Sequence, residues 1–273
     1  MNYIRPAQVA GYFYPANPDK LKKDISLMLD ATKPKEKFEK IFGIVAPHAG
    51  YVYSGKTAAH AYNLLVGKNY KRVVVISPSH SEYFPGICVF EGDAYETPLG
   101  LLKVDKEFRE KLLTDDEIIF TGYEGHRREH ALEVQLPFLQ SVLKDFKIVP
   151  VVMGDQSKRN VDTLAKKLAE VSDDETLVVA SSDLSHFYSK SQADKLDSVV
   201  EERVRKFDYE SLQFDLDNHT CEACGGGPIV ALMKAANIKN IRHSMVLSRT
   251  DSGDVTGDNS EVVGYLSAVF YGD

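Results

Sequence analysis

Two kinds of apolar pattern alternate along this chain. Short runs rich in β-branched residues occur at IFGIVAP (41–47), RVVVISPS (72–79), GICVF (86–90), KIVPVVM (147–153), TLVVASS (176–182) and VVGYLSAVF (262–270). Several are continuous rather than alternating, as expected of strands covered on both faces. Between them, apolar residues return every three or four positions at 20–30, 55–65, 129–143, 161–171, 193–207 and 226–236. In the first of these, Leu21, Ile25, Leu27 and Met28 are expected roughly on one side. Strand, helix, strand in this order predicts an α/β fold, with a central, mostly parallel sheet flanked by helices. The clearest linker candidate, ATKPKEKFE at 31–39, is too short to separate a pair of domains, so residues 1–273 are read as one.

Composition narrows the function classes. The 273 residues are 43% apolar and 27% charged, enough for a core without staples. Thirty-three Lys and Arg against forty Asp and Glu give a net charge of −7. No basic surplus exists to neutralise phosphates, so nucleic acid is not an expected partner. Cys88, Cys221 and Cys224 are too few for a disulfide scaffold, which suits a reducing interior. No apolar run has the ~18 residues that span a bilayer, and the N-terminus lacks a signal-type apolar stretch. The expected setting is cytoplasmic, with no membrane contact.

Candidate chemistry lies at strand ends. His48 follows IVAP, His80 follows VVVISPS, and Asp183 and His186 follow LVVASS. Ligands of open α/β sheets bind beyond the carboxyl ends of the strands, so these side chains are expected to share one crevice. Cys224 precedes a Gly run and Pro228, the predicted start of a helix. A thiol near a helix N-terminus is expected to favour thiolate, the form that binds metal or attacks an electrophile. The other reading is a small buried hydrophobe. Cys221 and Cys224 form one C-x-x-C with no second copy, and Cys88 reads as core.

GHRREHALEVQLPFL carries His126, Glu129, His130 and Glu133; in a helix, His130 and Glu133 would share a face. That spacing could hold a metal, although Leu132, Leu136 and Leu139 read more simply as a buried stripe. His60, His219 and His243 read as ordinary residues. There is no P-loop, no G-x-G-x-x-G after a strand and no G-x-S-x-G elbow, and Ser181 and Ser182 have no evident role as nucleophiles.

Ordered motifs run nearly end to end: RPAQVAGYFYP (5–15), APHAGYVYSG (46–55), ISPSH (76–80), YETPLG (95–100), EHALEVQLPFL (129–139), SSDLSH (181–186), CGGGP (224–228) and SGDVTGDNSEVVGYLSAVF (252–270). In these the chain resembles the Memo family. The resemblance implies a fold and pocket like those of the class III non-haem iron extradiol dioxygenases. It further implies an iron or copper ion on His48, His80 and Cys224, with Asp183 and His186 lining the same pocket, either supporting the ligands or as proton-transfer groups. Extradiol dioxygenases use two histidines and a carboxylate around iron; here the third candidate is a thiol.

Three functions follow from the resemblance. One is a metal-dependent oxidoreductase with dioxygenase-like chemistry. Another is a non-catalytic module that binds a small molecule, peptide or partner in the same pocket. The third is a component of a system with AMMECR-type and radical SAM partners. Apart from Arg127 and Arg128, no arginine cluster lies near the motifs to favour phosphate.

Overall fold

The structure, a computed structural model, describes residues 3–34 and 36–273, so Met1, Asn2 and Lys35 of the 31–39 stretch lie outside the described residues. The chain opens with β1 (Ile4–Arg5) and α1 (Pro18–Ala31). Asn17 caps α1 by accepting the Lys20 amide, Pro18 sits in the first turn, and Leu21 and Ile25 bury one face. Next come β2 (Lys40–Ala46), α2 (Tyr51–Asn63), β3 (Arg72–Pro78), β4 (Ile87–Phe90), β5 (Ala94–Thr97), β6 (Gly100–Lys103), α3 (Lys106–Leu112) and β7 (Ile119–Gly122). A 3-10 turn (Glu133–Gln135) leads into α4 (Leu136–Val142), followed by β8 (Lys147–Met153), α5 (Lys158–Val171), β9 (Thr176–Ser181) and β10 (Asp183–Tyr188). The chain continues with α6 (Lys190–Arg205), α7 (Tyr209–Asp217), α8 (Gly226–Ile238), β11 (His243–Asp251), α9 (Gly253–Thr256) and β12 (Val262–Gly272).

Among the described residues, nine strands form the large sheet in the order β10-β12-β2-β9-β3-β8-β4-β7, with β11 also paired to β12. The centre, β2-β9-β3-β8, is parallel, while β12 and β4 join it antiparallel. β1, β5 and β6 make a separate small sheet. Helices cover both faces of the large one. Val73 and Val75 of β3 face Leu21, Tyr62 and Phe138, whereas Val74 and Ile76 face the cluster of Val161, Leu164 and Leu232. That two-residue alternation between two apolar layers is why the central runs read as continuous.

The predicted strands and helices recur with shifted ends, except at 129–143. There the helical turns begin only at Glu133, and 126–132 is irregular. The expectation that His130 and Glu133 share a helix face therefore fails. The buried Glu133 carboxylate turns instead to Arg5, 2.6 Å away, which is equally buried. It also accepts from the Gln8 and Val9 amides and the Tyr14 hydroxyl. Arg5 in turn donates to the His126 and Glu129 carbonyls, so the irregular segment is held by the N-terminal strand.

Candidate metal centre

Strand order builds the site. β2, β9 and β3 are adjacent and parallel, so their carboxyl ends lie side by side. His48 leaves β2, Ser181 ends β9, and His80 follows β3. Asp183 and His186 lie not in a loop but on β10, which turns back to pair with β12. Cys224 arrives just before α8. Gln156 fixes its approach by donating to the Cys224 carbonyl and accepting the Gly227 amide, while Ser182 Oγ accepts the Gly225 amide.

These contacts bring one ring nitrogen from each of His48 and His80, and Cys224 Sγ, all within 4.8 Å of one another. His48 Nε2 faces Cys224 Sγ at 3.2 Å. Its other nitrogen, Nδ1, lies 2.9 Å from Ser181 Oγ. That hydroxyl donates its hydrogen to the Ala131 carbonyl at 2.7 Å and accepts from Gln135 Nε2 at 2.7 Å. Ser181 can therefore only accept from His48, which puts the proton on Nδ1 and leaves the Nε2 lone pair aimed at Cys224. Gln135 is itself oriented by the Tyr62 hydroxyl on its oxygen and the Pro47 carbonyl on its nitrogen.

His80 is held in the same way. Its Nδ1 lies 2.9 Å from Glu129 Oε1, and its amide donates to Glu129 Oε2 at 2.6 Å. Burial works to raise the Glu129 pKa, but the bonds from His80 and the Ala131 amide outweigh it and keep the carboxyl below its usual range. A carboxylate behind Nδ1 leaves Nε2 as the outward donor of His80. His130 stacks on His80 at 4.7 Å and meets His48 edge-on at 5.5 Å. With Glu129 and His80 it forms a second convergent cluster.

Electrostatics separate the members. Burial, then the neighbouring charges of His80, His130 and His186, drives the His48 pKa well down, so it stays a neutral imidazole. Burial raises Asp183 to about 7, against the lowering effect of the His48 and Ala49 amides. The thiolate expected of Cys224 is not what the free site favours. Burial and the charge of Asp183 push its thiol up, more than the bonds from Ser182 and Gly225 bring it down. Cys224 also stands before the Gly225 cap and not in the first helical turn. A metal ion binding there would displace the proton.

Two cavities meet at His186. One, of about 480 Å³, is lined by Phe13, Gly50, His130, Asp183 and His186; the other, of about 380 Å³, by Gln156, Cys221, Glu222 and Cys224 as well as His186. Cys221 is buried beside the second cavity, and Cys88 is buried in the core elsewhere. His126 is also buried, bonded to Tyr95 and the Cys88 carbonyl, with its pKa pushed down to about 3. The sequence reading missed Ser181, Gln135 and Gln156; Ser181 and Gln156 lie at or just past strand ends, and Gln135 lies in the EHALEVQLPFL motif.

Gly225 makes the tightest approach to backbone among the glycines. A Cβ there would lie 2.2 Å from the Ser181 carbonyl oxygen, a backbone atom that cannot swing aside. Gly225→Ala is expected to cost about 1–3 kcal/mol in urea unfolding and to move Cys224 away from His48.

Among the described residues no helix is long and apolar enough to cross a membrane. The crystal structure of the uncharacterized protein JW3007 from Escherichia coli K12 shares the fold, with a TM-score of 0.56 at 12% identity, over 85% of this chain and 100% of that one. MEMO1 family proteins from Methanobrevibacter smithii and Aquifex aeolicus are each 37% identical to it, over 98% of this chain and 99% of their own. The family model for Memo-like proteins matches residues 5–269, which include every strand end and the Gly run that build the centre. The chain belongs to the Memo family.

Proposed function

We propose that His48, His80 and Cys224 bind an iron or copper ion, and that the protein is a metal-dependent oxidoreductase of dioxygenase-like type. The observation that carries this reading is the convergence of three donors, with each imidazole already committed through its other nitrogen. Asp183 is the weaker third donor, because the convergent set within 4.8 Å is completed by Cys224 and does not include it. Two nitrogens and one sulfur suit iron or copper, and the thiolate favours Cu(I). A bound ion of this kind supplies one-electron and oxygen chemistry.

The chain's own residues would do the rest. Ser181 and Glu129 orient the histidines. Asp183, with a pKa near neutrality, and His186, which borders both cavities, would hold or pass a proton beside the centre.

The test is anaerobic reconstitution of untagged protein with Fe(II) or Cu(I), followed by elemental analysis. About one ion per chain is expected, and failure to retain either ion refutes the reading. Glu129→Gln should keep the fold and weaken the ion by about 10- to 100-fold, the usual cost of losing a carboxylate behind a histidine ligand.

A further inference from the structure

The cleft of about 480 Å³ bordered by His130, Asp183 and His186 is acidic at its rim. Its lining includes three carboxylates, Asp183, Asp258 and Glu261, and no lysine or arginine. Arg127 and Arg128 do not line it. Asp258 and Glu261 are exposed at its rim, whereas Asp183 is buried. Two amides at or just before the start of α2, a place that draws anions, are already used. The Tyr51 amide donates to the Phe13 carbonyl at 2.7 Å, and the His48 amide to Asp183.

The walls are aromatic. Phe13, Tyr53 and Phe187 all line the cleft, and Tyr53 and Phe187 remain 42% and 71% exposed. Phe187 has φ of 63°, in the left-handed region that bulky residues rarely adopt. It sits where the pairing of β10 with β12 slips between His186 and Tyr188. Its ring meets His186 edge-on at 5.7 Å. An exposed aromatic ring is thus held at the mouth of a cavity by a backbone conformation that phenylalanine disfavours.

We propose that this cleft binds a small organic cation, an ammonium or guanidinium group on an aromatic or apolar body. The rings of Phe13, Tyr53 and Phe187 would receive the body and face the charge, and Asp258 and Glu261 would select its sign. The inference deepens the metal-centre reading, since the bound body would lie beside His130, Asp183 and His186, but the binding step itself needs no metal.

The test uses metal-free protein at pH 8, above the ordinary imidazole range, and three ligands with the same ring: 2-phenylethylammonium, phenylacetate and phenyl phosphate. Calorimetry or NMR titration should show saturable binding of the ammonium and at least about tenfold weaker binding of both anions. The D258N/E261Q double variant, which touches no metal donor, should weaken the ammonium by about three- to tenfold. Phe187→Gly, which suits the observed φ, should weaken it while leaving thermal stability no lower than about that of the parent. Anions that bind as well as the ammonium would overturn the proposal. So would affinity that both variants leave unchanged, or no saturable binding of the ammonium at millimolar concentration. Because no metal is present, none of these results bears on metal loading, and failed loading leaves them standing.

Discussion

His48→Ala and Cys224→Ala are each expected to emerge from reconstitution without a stoichiometric metal ion, while His60→Ala, a change on α2 outside the cluster, retains it. Each of the first two removes one of the three convergent donors. The loss should therefore exceed the roughly 10- to 100-fold penalty for removing a partner behind a ligand. Cys224→Ser sharpens the result. It keeps nearly the same volume but exchanges a soft donor for a hard one, so copper retention should fall more than iron retention. Elemental analysis together with circular dichroism checks both points. Normal metal content in folded His48→Ala would refute the assignment.

The largest effect on stability is expected at Glu133. Its carboxylate is fully buried, as is the Arg5 guanidinium it meets at 2.6 Å. Glu133→Ala strands that cation and removes the acceptor for the Gln8 and Val9 amides and the Tyr14 hydroxyl. Breaking one side of a buried pair costs about 3–5 kcal/mol, readable from urea unfolding. Replacing both members with apolar residues, as in Arg5→Met with Glu133→Leu, should recover some of that loss. Arg5 also grips the Glu129 carbonyl at 2.5 Å, and Glu129 is the group behind His80. Glu133→Ala is therefore expected to weaken metal binding as well, from a position outside the metal cluster.

Residues that carry an apolar run announced themselves. The runs at 41–47, 72–79, 147–153 and 176–182 became the parallel centre of the sheet, and their ends delivered His48, His80 and Ser181 as strand order requires. The Gly run and Pro228 marked Cys224 as a candidate, but its reading as a ligand rested on the family resemblance. β10 was not legible, because DLSHFY mixes polar and apolar residues and its pairing slips against β12. β11 was hidden for a related reason: Ser244 to Asp251 are all half-buried, so no alternation marks it.

The apolar spacing at 129–143 predicted a helix through Glu129. Arg5, more than a hundred positions earlier, takes the His126 and Glu129 carbonyls and holds that stretch irregular. Long-range polar contacts of this kind leave no local periodicity to read. The Cys224 thiol is a similar case. Its place before α8 suggested a helix dipole, but burial beside Asp183 sets its protonation.

The Gly225 approach to Ser181 has a consequence for the order of assembly. The thiol is brought to the cluster only when the segment before α8 packs onto the end of β9, and Cys224 lies 176 positions after His48. A chain still being synthesised through α6 therefore offers two imidazoles and no thiol. Contacts of such long sequence separation form late, so the centre gains its soft ligand only as the sheet closes. Metal capture before that point would rest on nitrogen donors alone, and the finished centre is reserved for chains that have completed their core.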